Sequence, residues 1–321
     1  MTFTPTDLPL HDCAPRPDDL LADTLAGLRQ SPKTLPCKLL YDQPGSELFD
    51  RICELPEYYP TRTEMAIMRD HIADMVRHIG ERALLIELGS GSSTKTRILL
   101  DHLRRPAGYV PIDISREHLL RSAQQIQQRY RDLEVLPVCA DYLQDFDVPA
   151  PTQPAARRVV YFPGSTIGNF HEPEARRFLQ RIAELVTPGG GLLIGVDLRK
   201  DPSILVPAYN DAQGVTAAFN LNILHRLNRE FAADIDVAGF EHRAVWNDAQ
   251  GRIEMHLVAR QAQEVTIADQ TFRFEAGESI RTECSYKHTP QRFAELADAF
   301  DIQHVWTDPA ELFSVQYLVA K

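Results

Sequence analysis

From about Glu64 onward, short apolar runs alternate with amphipathic stretches, a pattern that predicts a parallel sheet covered by helices. The runs fall within residues 83–88, 109–113, 136–141, 159–162 and 192–196. Strands buried on both faces read as continuous apolar runs rather than as an alternation, and these do. Between the last two, residues 173–186 put Ala175, Phe178, Leu179, Ile182, Leu185 and Val186 on one helical face, and Thr187-Pro-Gly-Gly-Gly191 ends that helix.

The pattern changes on either side of this block. Ahead of it, residues 18–28 and 46–54 read as helical, followed by the proline-flanked segment Pro56-Glu-Tyr-Tyr-Pro-Thr-Arg-Thr-Glu64. Between Asp201 and about Tyr286 the alternation breaks: a long helical stretch, Val215–Phe231, precedes segments of period two. In Arg252–Ala259, for example, Ile253, Met255, Leu257 and Ala259 share one face while Arg252, Glu254 and His256 share the other. A helix over 290–300 and strands over 302–306 and Phe313–Ala320 close the chain. The expected organisation is therefore an N-terminal helical segment (1–63) that contributes to the site, a discontinuous α/β sheet domain (64–200 and 287–321), and an inserted α+β substrate-binding domain (201–286).

Composition narrows the partners. With 44% hydrophobic and 25% charged residues over 321 positions, the chain can bury a full core. Its 34 basic against 45 acidic residues give a formal charge of -11, the opposite of a nucleic-acid footprint, so a nucleic-acid substrate is disfavoured. The opening residues lack a basic region followed by an apolar core, and no apolar run approaches a membrane span, so a cytoplasmic protein without membrane association is expected. Cys13, Cys37, Cys53, Cys139 and Cys284 form no C-x-x-C pair, and the eleven histidines show no close metal spacing; no metal is expected. The chain is expected to act as a monomer on a small molecule.

The chemistry concentrates where the first sheet strand ends, in Glu87-Leu-Gly-Ser-Gly-Ser-Ser-Thr-Lys-Thr96. Gly89 and Gly91 let backbone approach a ligand where a side chain would clash, and N–H groups beyond them are expected to face it. The third glycine of a dinucleotide fingerprint and the G-K-[ST] of a phosphate loop are both missing, which moves the reading from pyrophosphates toward S-adenosylmethionine. Asp113 ends the next strand about two dozen residues on, where a ribose diol sits in a doubly wound fold. Asp141, followed by Tyr142, ends a third, offering an acid for the adenine edge and a ring for stacking. Each acid alone reads as a helix cap, but the series reads as adenosine recognition. Past the fourth strand, Gly164-Ser-Thr-Ile-Gly-Asn169 crosses the carboxyl edge, and the Asn169 amide, donor and acceptor together, suits an amine and a carboxylate.

Together E-L-G-S-G-S-S-T-K-T, P-E-Y-Y-P-T-R-T-E, G-S-T-I-G-N, the run from Tyr209 to Asn220, R-I-E-M and T-E-C-S-Y-K closely resemble the histidine-specific methyltransferase family, from about Ser31 to the C-terminus. The resemblance implies a Rossmann-like class I methyltransferase sheet using S-adenosylmethionine and releasing S-adenosylhomocysteine. It implies methylation of the α-amino group of L-histidine, three times, to hercynine, in ergothioneine biosynthesis. By the same resemblance, cofactor contacts fall on Tyr41, Gly89, Lys95, Asp113, Asp141 and Tyr142, with Ser90 and Gly91 completing the glycine turn. Substrate contacts fall on Tyr58, Asn169, Tyr209, Met255, Glu283 and Ser285, with Tyr58 and Asn169 beside the reacting amine. In the family, the residues matching Asn169 and Tyr209 grip the amino acid's carboxylate and amine, and those matching Glu283 and Ser285 hydrogen-bond the imidazole. Cys284 departs from an expected aliphatic residue.

A physical case for Glu283 and Ser285 stands beside the resemblance: two apart on an extended strand, they face one side at about 7 Å and can read a flat ring with two nitrogens. Taken alone, Glu283, Ser285 and Lys287 also read as the solvated face of an edge strand. Three rival functions remain: a same-family enzyme for another aromatic amino acid such as a tryptophan derivative, a sensor that holds the cofactor without turnover, and a nicotinamide oxidoreductase, which the missing third glycine disfavours.

Overall fold

A sheet whose strands are apolar on both faces must be covered on both, and the computed structural model, which describes residues 8–14, 16–91 and 93–321, shows this arrangement. The chain opens with β1 (His11–Cys13), α1 (Pro17–Leu28), β2 (Lys33–Thr34), α2 (Gln43–Glu54) and α3 (Tyr59–Ile79). Alternation follows through β3 (Ala83–Leu88), α4 (Thr94–Leu100), β4 (Gly108–Asp113), α5 (Arg116–Arg129), β5 (Val138–Ala140), β6 (Arg157–Phe162), α6 (Glu172–Val186) and β7 (Gly191–Asp197). It breaks at α7 (Pro202–Ala208) and α8 (Val215–Phe231), which lead into β8 (Phe240–Asn247), β9 (Arg252–Ala259), β10 (Gln263–Ile267), β11 (Gln270–Phe274) and β12 (Ser279–Tyr286). The chain closes with α9 (Pro290–Leu296), β13 (Phe300–Thr307) and β14 (Phe313–Ala320).

Two compact units result. The first comprises residues 8–14, Pro60–Arg199 and His288–Lys321. Its sheet runs β1-β5-β4-β3-β6-β7-β14-β13, parallel except that β14 lies antiparallel between β7 and β13. The strand order reverses beside β3, so the ends of β3, β4 and β6 form the switch point where open α/β sheets take ligands. Leu84, Ile86 and Leu88 of β3 pack with Phe178, Leu179 and Phe293 from α6 and α9. The intervening Leu85 joins Met75, Leu99 and Ile126 from α3, α4 and α5 on the other face. Each fully buried aliphatic side chain of this kind contributes roughly 1.5–3 kcal/mol.

The second unit comprises residues 16–59 and Lys200–Lys287. Its main sheet has the order β2-β12-β9-β8, with β12 antiparallel to β9, and β10 and β11 pair as a separate hairpin. The helix α8 packs on α2 and against β8 and β9. β12 is irregular between Arg281 and Glu283: Arg281 lies opposite His256 and Glu283 opposite Met255, so Thr282 is the extra residue of a bulge.

Two expectations shift. The stretch 1–63 is divided: residues 8–14 add β1 to the large sheet, and residues 16–59 form one unit with the insertion. The helix expected over 290–300 stops at Leu296, because Phe300 is drawn into β13 opposite Ala320. Tertiary pairing overrides the local helical period there.

Candidate active site

At the end of β3 the chain makes a left-handed turn through Gly89 (φ 70°) and Gly91 (φ 47°), and a Cβ built on Gly91 would meet nothing within 4 Å. The N–H groups of Gly89 and Ser90 both donate to the Ile112 carbonyl, at 2.8 and 3.1 Å. The Gly91 N–H donates to Asp113 Oδ2 at 3.0 Å, while Ser115 N–H donates to Asp113 Oδ1 at 2.9 Å. Asp113 thus ties the turn to the end of β4 and keeps a spare lone pair on each oxygen. Desolvation raises its carboxyl above the ordinary aspartate range, against those two backbone donors. Asp141, at the end of β5, is buried and accepts from Leu143 N–H at 3.0 Å. Tyr142 meets Phe162 and Phe178 edge-on, and its ring lies 3.8 Å from where a Cβ on Gly89 would stand.

Beneath the turn, the buried Glu87 accepts from Thr96 Oγ1 at 2.6 and 2.7 Å and from the Tyr109 hydroxyl. Ser93 extends the network to Tyr109 at 3.3 Å and Ser122 at 2.7 Å, so α4, β4 and α5 are pinned to the strand that carries the turn. Burial pushes the Glu87 carboxyl up to about 7, against these donors. Lys95 does not stand free: its ammonium lies 2.6 Å from Glu64 Oε2, a fully buried carboxylate on α3 that also accepts from Gly164 N–H. Lys95 and Glu64 together anchor the loop that continues through a 3₁₀ turn, Thr166–Asn169, and the half-buried Asn169 ends it.

The second unit carries the other set. Tyr41, Phe49, Tyr58 and Tyr209 form a chain of edge-to-face rings, with Phe219 beside Tyr41 and Phe49. Burial pushes the Tyr58 hydroxyl well above the ordinary tyrosine range, and the neighbouring Tyr209 adds to this. Glu283, 9% exposed, faces the same side as Met255 opposite it and as Ser285 two residues on. Its carboxylate has no hydrogen-bond partner among the described residues, and burial pushes it up to about 7, with the ammonium of Lys287 as the opposing influence. The Ser285 and Tyr209 hydroxyls are 2.7 Å apart, and Lys287 Nζ donates to both at 2.8 Å. Behind them, Thr282 donates to Asn220 Oδ1 at 2.6 Å, and the Asn220 amide nitrogen lies 2.9 Å from His242 Nδ1. An amide NH₂ can only donate, so Nδ1 accepts and Nε2–H donates to the Tyr209 carbonyl at 2.9 Å. Desolvation lowers the His242 pKa, which agrees with the neutral ring this network requires.

Residues 20–320 match the family described as histidine-specific methyltransferase, S-adenosylmethionine-dependent. The chain belongs to that family. It is 46% identical over 308 residues to histidine N-alpha-methyltransferase of Mycolicibacterium smegmatis, covering 94% of each chain. It is 45% identical over 311 residues to the protein of the same name from Mycobacterium tuberculosis, covering 94% of this chain and 95% of that one. Among solved structures, a S-adenosylmethionine-dependent methyltransferase from Clostridium acetobutylicum superimposes with a TM-score of 0.46 at 10% identity, covering 79% of this chain and 91% of that one.

For this methyltransferase the residues read from sequence separate by unit. Gly89, Ser90, Gly91, Lys95, Asp113, Asp141, Tyr142 and Asn169 lie on the first; Tyr41, Tyr58, Tyr209, Met255, Glu283 and Ser285 lie on the second. The glycine turn fits S-adenosylmethionine: there is open space over Gly91, and the buried Ser90 and Ser115 hydroxyls have no partner among the described residues. Lys287, His242 and Glu64 carried no site assignment in the sequence reading. For Lys287 the signal was present, since it continues the period of two from Glu283 through Ser285. His242 carried none, because its role depends on a bond to a backbone carbonyl 33 residues away along the chain. Elsewhere, Asp74, His78 and His304 bring ligand-type atoms within 4.8 Å of one another, but Asp74 already accepts from Arg77 and Trp306.

Proposed function

We propose that this chain transfers methyl groups from S-adenosylmethionine to the α-amino group of L-histidine, three times, giving hercynine. The observation that carries the reading is Glu283: a buried carboxylate with no hydrogen-bond partner among the described residues, on the same strand face as Ser285, in a member of a histidine-specific family. An unpaired buried charge is expensive, so such a group favours a ligand that brings an N–H and rejects a plain aromatic ring.

When bound, S-adenosylmethionine would supply a sulfonium methyl as the electrophile. Asp113 would accept from the ribose hydroxyls with the lone pairs its backbone bonds leave, Asp141 would take the adenine edge, and Tyr142 would hold the base beside the turn of Gly89, Ser90 and Gly91. Lys95 supports this end through Glu64 and Gly164. Tyr41 is assigned to the cofactor on the family relation alone. Asn169 and Tyr209 hold the amino acid's carboxylate and amine, Tyr58 lies beside the amine, and Met255 packs on the ring. An α-amino group titrates near pH 7.7–8.0 at a chain terminus and must lose its proton before each transfer. These residues orient the free lone pair, an effect worth about 7–11 kcal/mol in well-aligned systems. The reading takes the chain to act alone in the cytoplasm on a small molecule; among the described residues no helix is long and apolar enough to cross a membrane.

Incubation of the pure protein with S-adenosylmethionine and a panel of free amino acids, followed by mass spectrometry, tests this. Histidine alone should gain one, two and finally three methyl groups. Preferential methylation of a tryptophan derivative, or no turnover with any amino acid, overturns the reading.

A further inference from the structure

Three polar atoms on the second unit sit within hydrogen-bond distance of one another: Tyr209 Oη, Ser285 Oγ and Lys287 Nζ, at 2.7, 2.8 and 2.8 Å. Lys287 is 4% exposed, and its ammonium also lies 4.7 Å from the centre of the Tyr209 ring. An ammonium has donors and no lone pair, so the bonds from Lys287 fix which way the two hydroxyls face. Each hydroxyl oxygen gives one lone pair to Lys287. A single hydrogen then lies between Oη and Oγ. The phenol is the more acidic partner and the poorer acceptor, and the adjacent cation strengthens it as a donor, so Tyr209 donates to Ser285. Both lone pairs of Ser285 are then engaged, and its own hydrogen is what it can offer a ligand.

We propose that Lys287 is a positioning residue for ring recognition: by fixing the hydroxyl directions it makes Ser285 a donor to the bare nitrogen of a neutral imidazole whose N–H is accepted by Glu283. The inference rests on the histidine reading above and deepens it. Glu283 alone would accept from any ring N–H, including either side of an imidazolium. Ser285, held as a donor, has nothing to give an imidazolium or a pyrrole. The site therefore selects an aza-aromatic ring with one N–H and one bare nitrogen, and the positive charge of Lys287 further disfavours a protonated ring.

The test compares three substrates: L-histidine, pyrrolylalanine, which keeps the N–H but lacks the bare nitrogen, and thiazolylalanine, which keeps a bare nitrogen but lacks the N–H. Leaving one buried polar group unpaired should lower kcat/KM for each analogue by about tenfold to a hundredfold in the unmodified protein, mostly through KM. In Lys287→Met the hydroxyls can turn, so the preference for histidine over pyrrolylalanine should shrink by about tenfold while the preference over thiazolylalanine stays. Lys287→Arg, still donor-only, should restore the first preference. A purely structural role would lower all three substrates alike. Equal use of histidine and pyrrolylalanine by the unmodified protein, or an unchanged ratio in Lys287→Met, overturns the proposal. Should Lys287→Met not fold, Lys287→Gln is read in the same way, because its amide can also accept. No turnover of histidine by the unmodified protein is a different result: it overturns the histidine reading itself.

Discussion

Replacing Glu283 by glutamine should make the ligand-free protein more stable at alkaline pH while making it a worse enzyme. Glutamine has the shape and charge of the protonated acid, so the two proteins differ only in what ionisation costs. Burial moves the carboxyl from 4.5 to about 7, with Lys287 providing partial relief. A carboxyl whose folded pKa is raised stabilises the fold fully below its unfolded value, and that contribution is lost as pH rises through the folded one. At 1.36 kcal/mol per pH unit, the interval from 4.5 to about 7 corresponds to about 3 kcal/mol, all of it lost by pH ~8. Urea denaturation of both proteins without histidine should therefore give stabilities within about 1 kcal/mol of each other near pH 5, and Glu283→Gln ahead by about 3 kcal/mol near pH 8. Glu87 also titrates near 7, but it is present in both proteins and cancels from the difference. Histidine binding, followed by calorimetry, should weaken at least tenfold in the variant, since a charged acceptor is lost. A stability gap that does not change with pH would refute the desolvated, unpaired carboxylate and with it the argument for ring selection.

Three further outcomes follow from the two units. Asp113→Asn keeps the size of the side chain but removes the charge and one acceptor, so S-adenosylmethionine affinity should fall about tenfold or more by calorimetry; unchanged affinity removes Asp113 from the ribose. Lys95→Met leaves the buried Glu64 uncompensated and should cost about 3–5 kcal/mol in denaturation, most of it recovered in the double variant with Glu64→Gln; simple additivity of the two changes would show that the pair is not coupled. Asn220→Ala cuts the link from Thr282 through His242 to the Tyr209 carbonyl, and KM for histidine should rise severalfold with cofactor affinity unchanged; equal loss of both would mark Asn220 as a support of the whole fold.

The sheet was legible because β3, β4, β6 and β7 are buried on both faces and so write their position as unbroken apolar runs. The glycine turn was legible for the same kind of reason, since Gly89 and Gly91 occupy positive φ. What the sequence did not carry was the use of atoms between segments distant along the chain. Nothing local to Lys95 says that Glu64, thirty-one residues earlier, will neutralise it. Nothing local to Gly91 says that its N–H will turn to Asp113. Lys287 lay in plain view on the face of Glu283 and Ser285, yet the same period of two also describes a solvated edge strand. Only the burial of all three and the approach of Tyr209 separate the two cases. Phe300 shows the opposite failure, a residue whose helical pattern was real but weaker than its pairing with Ala320.

Thr282 is a surplus residue in its strand, and its removal would leave Arg281 still opposite His256 and Glu283 still opposite Met255. What would vanish is the tether: the hydroxyl that reaches Asn220 also lies 3.1 Å from the Met255 carbonyl, so this one kink straps the ring-reading strand to a helix and, through His242, to the backbone of Tyr209. A one-codon deletion there would separate alignment from bracing, leaving every recognition side chain at its address but without the strut that holds them to a common frame.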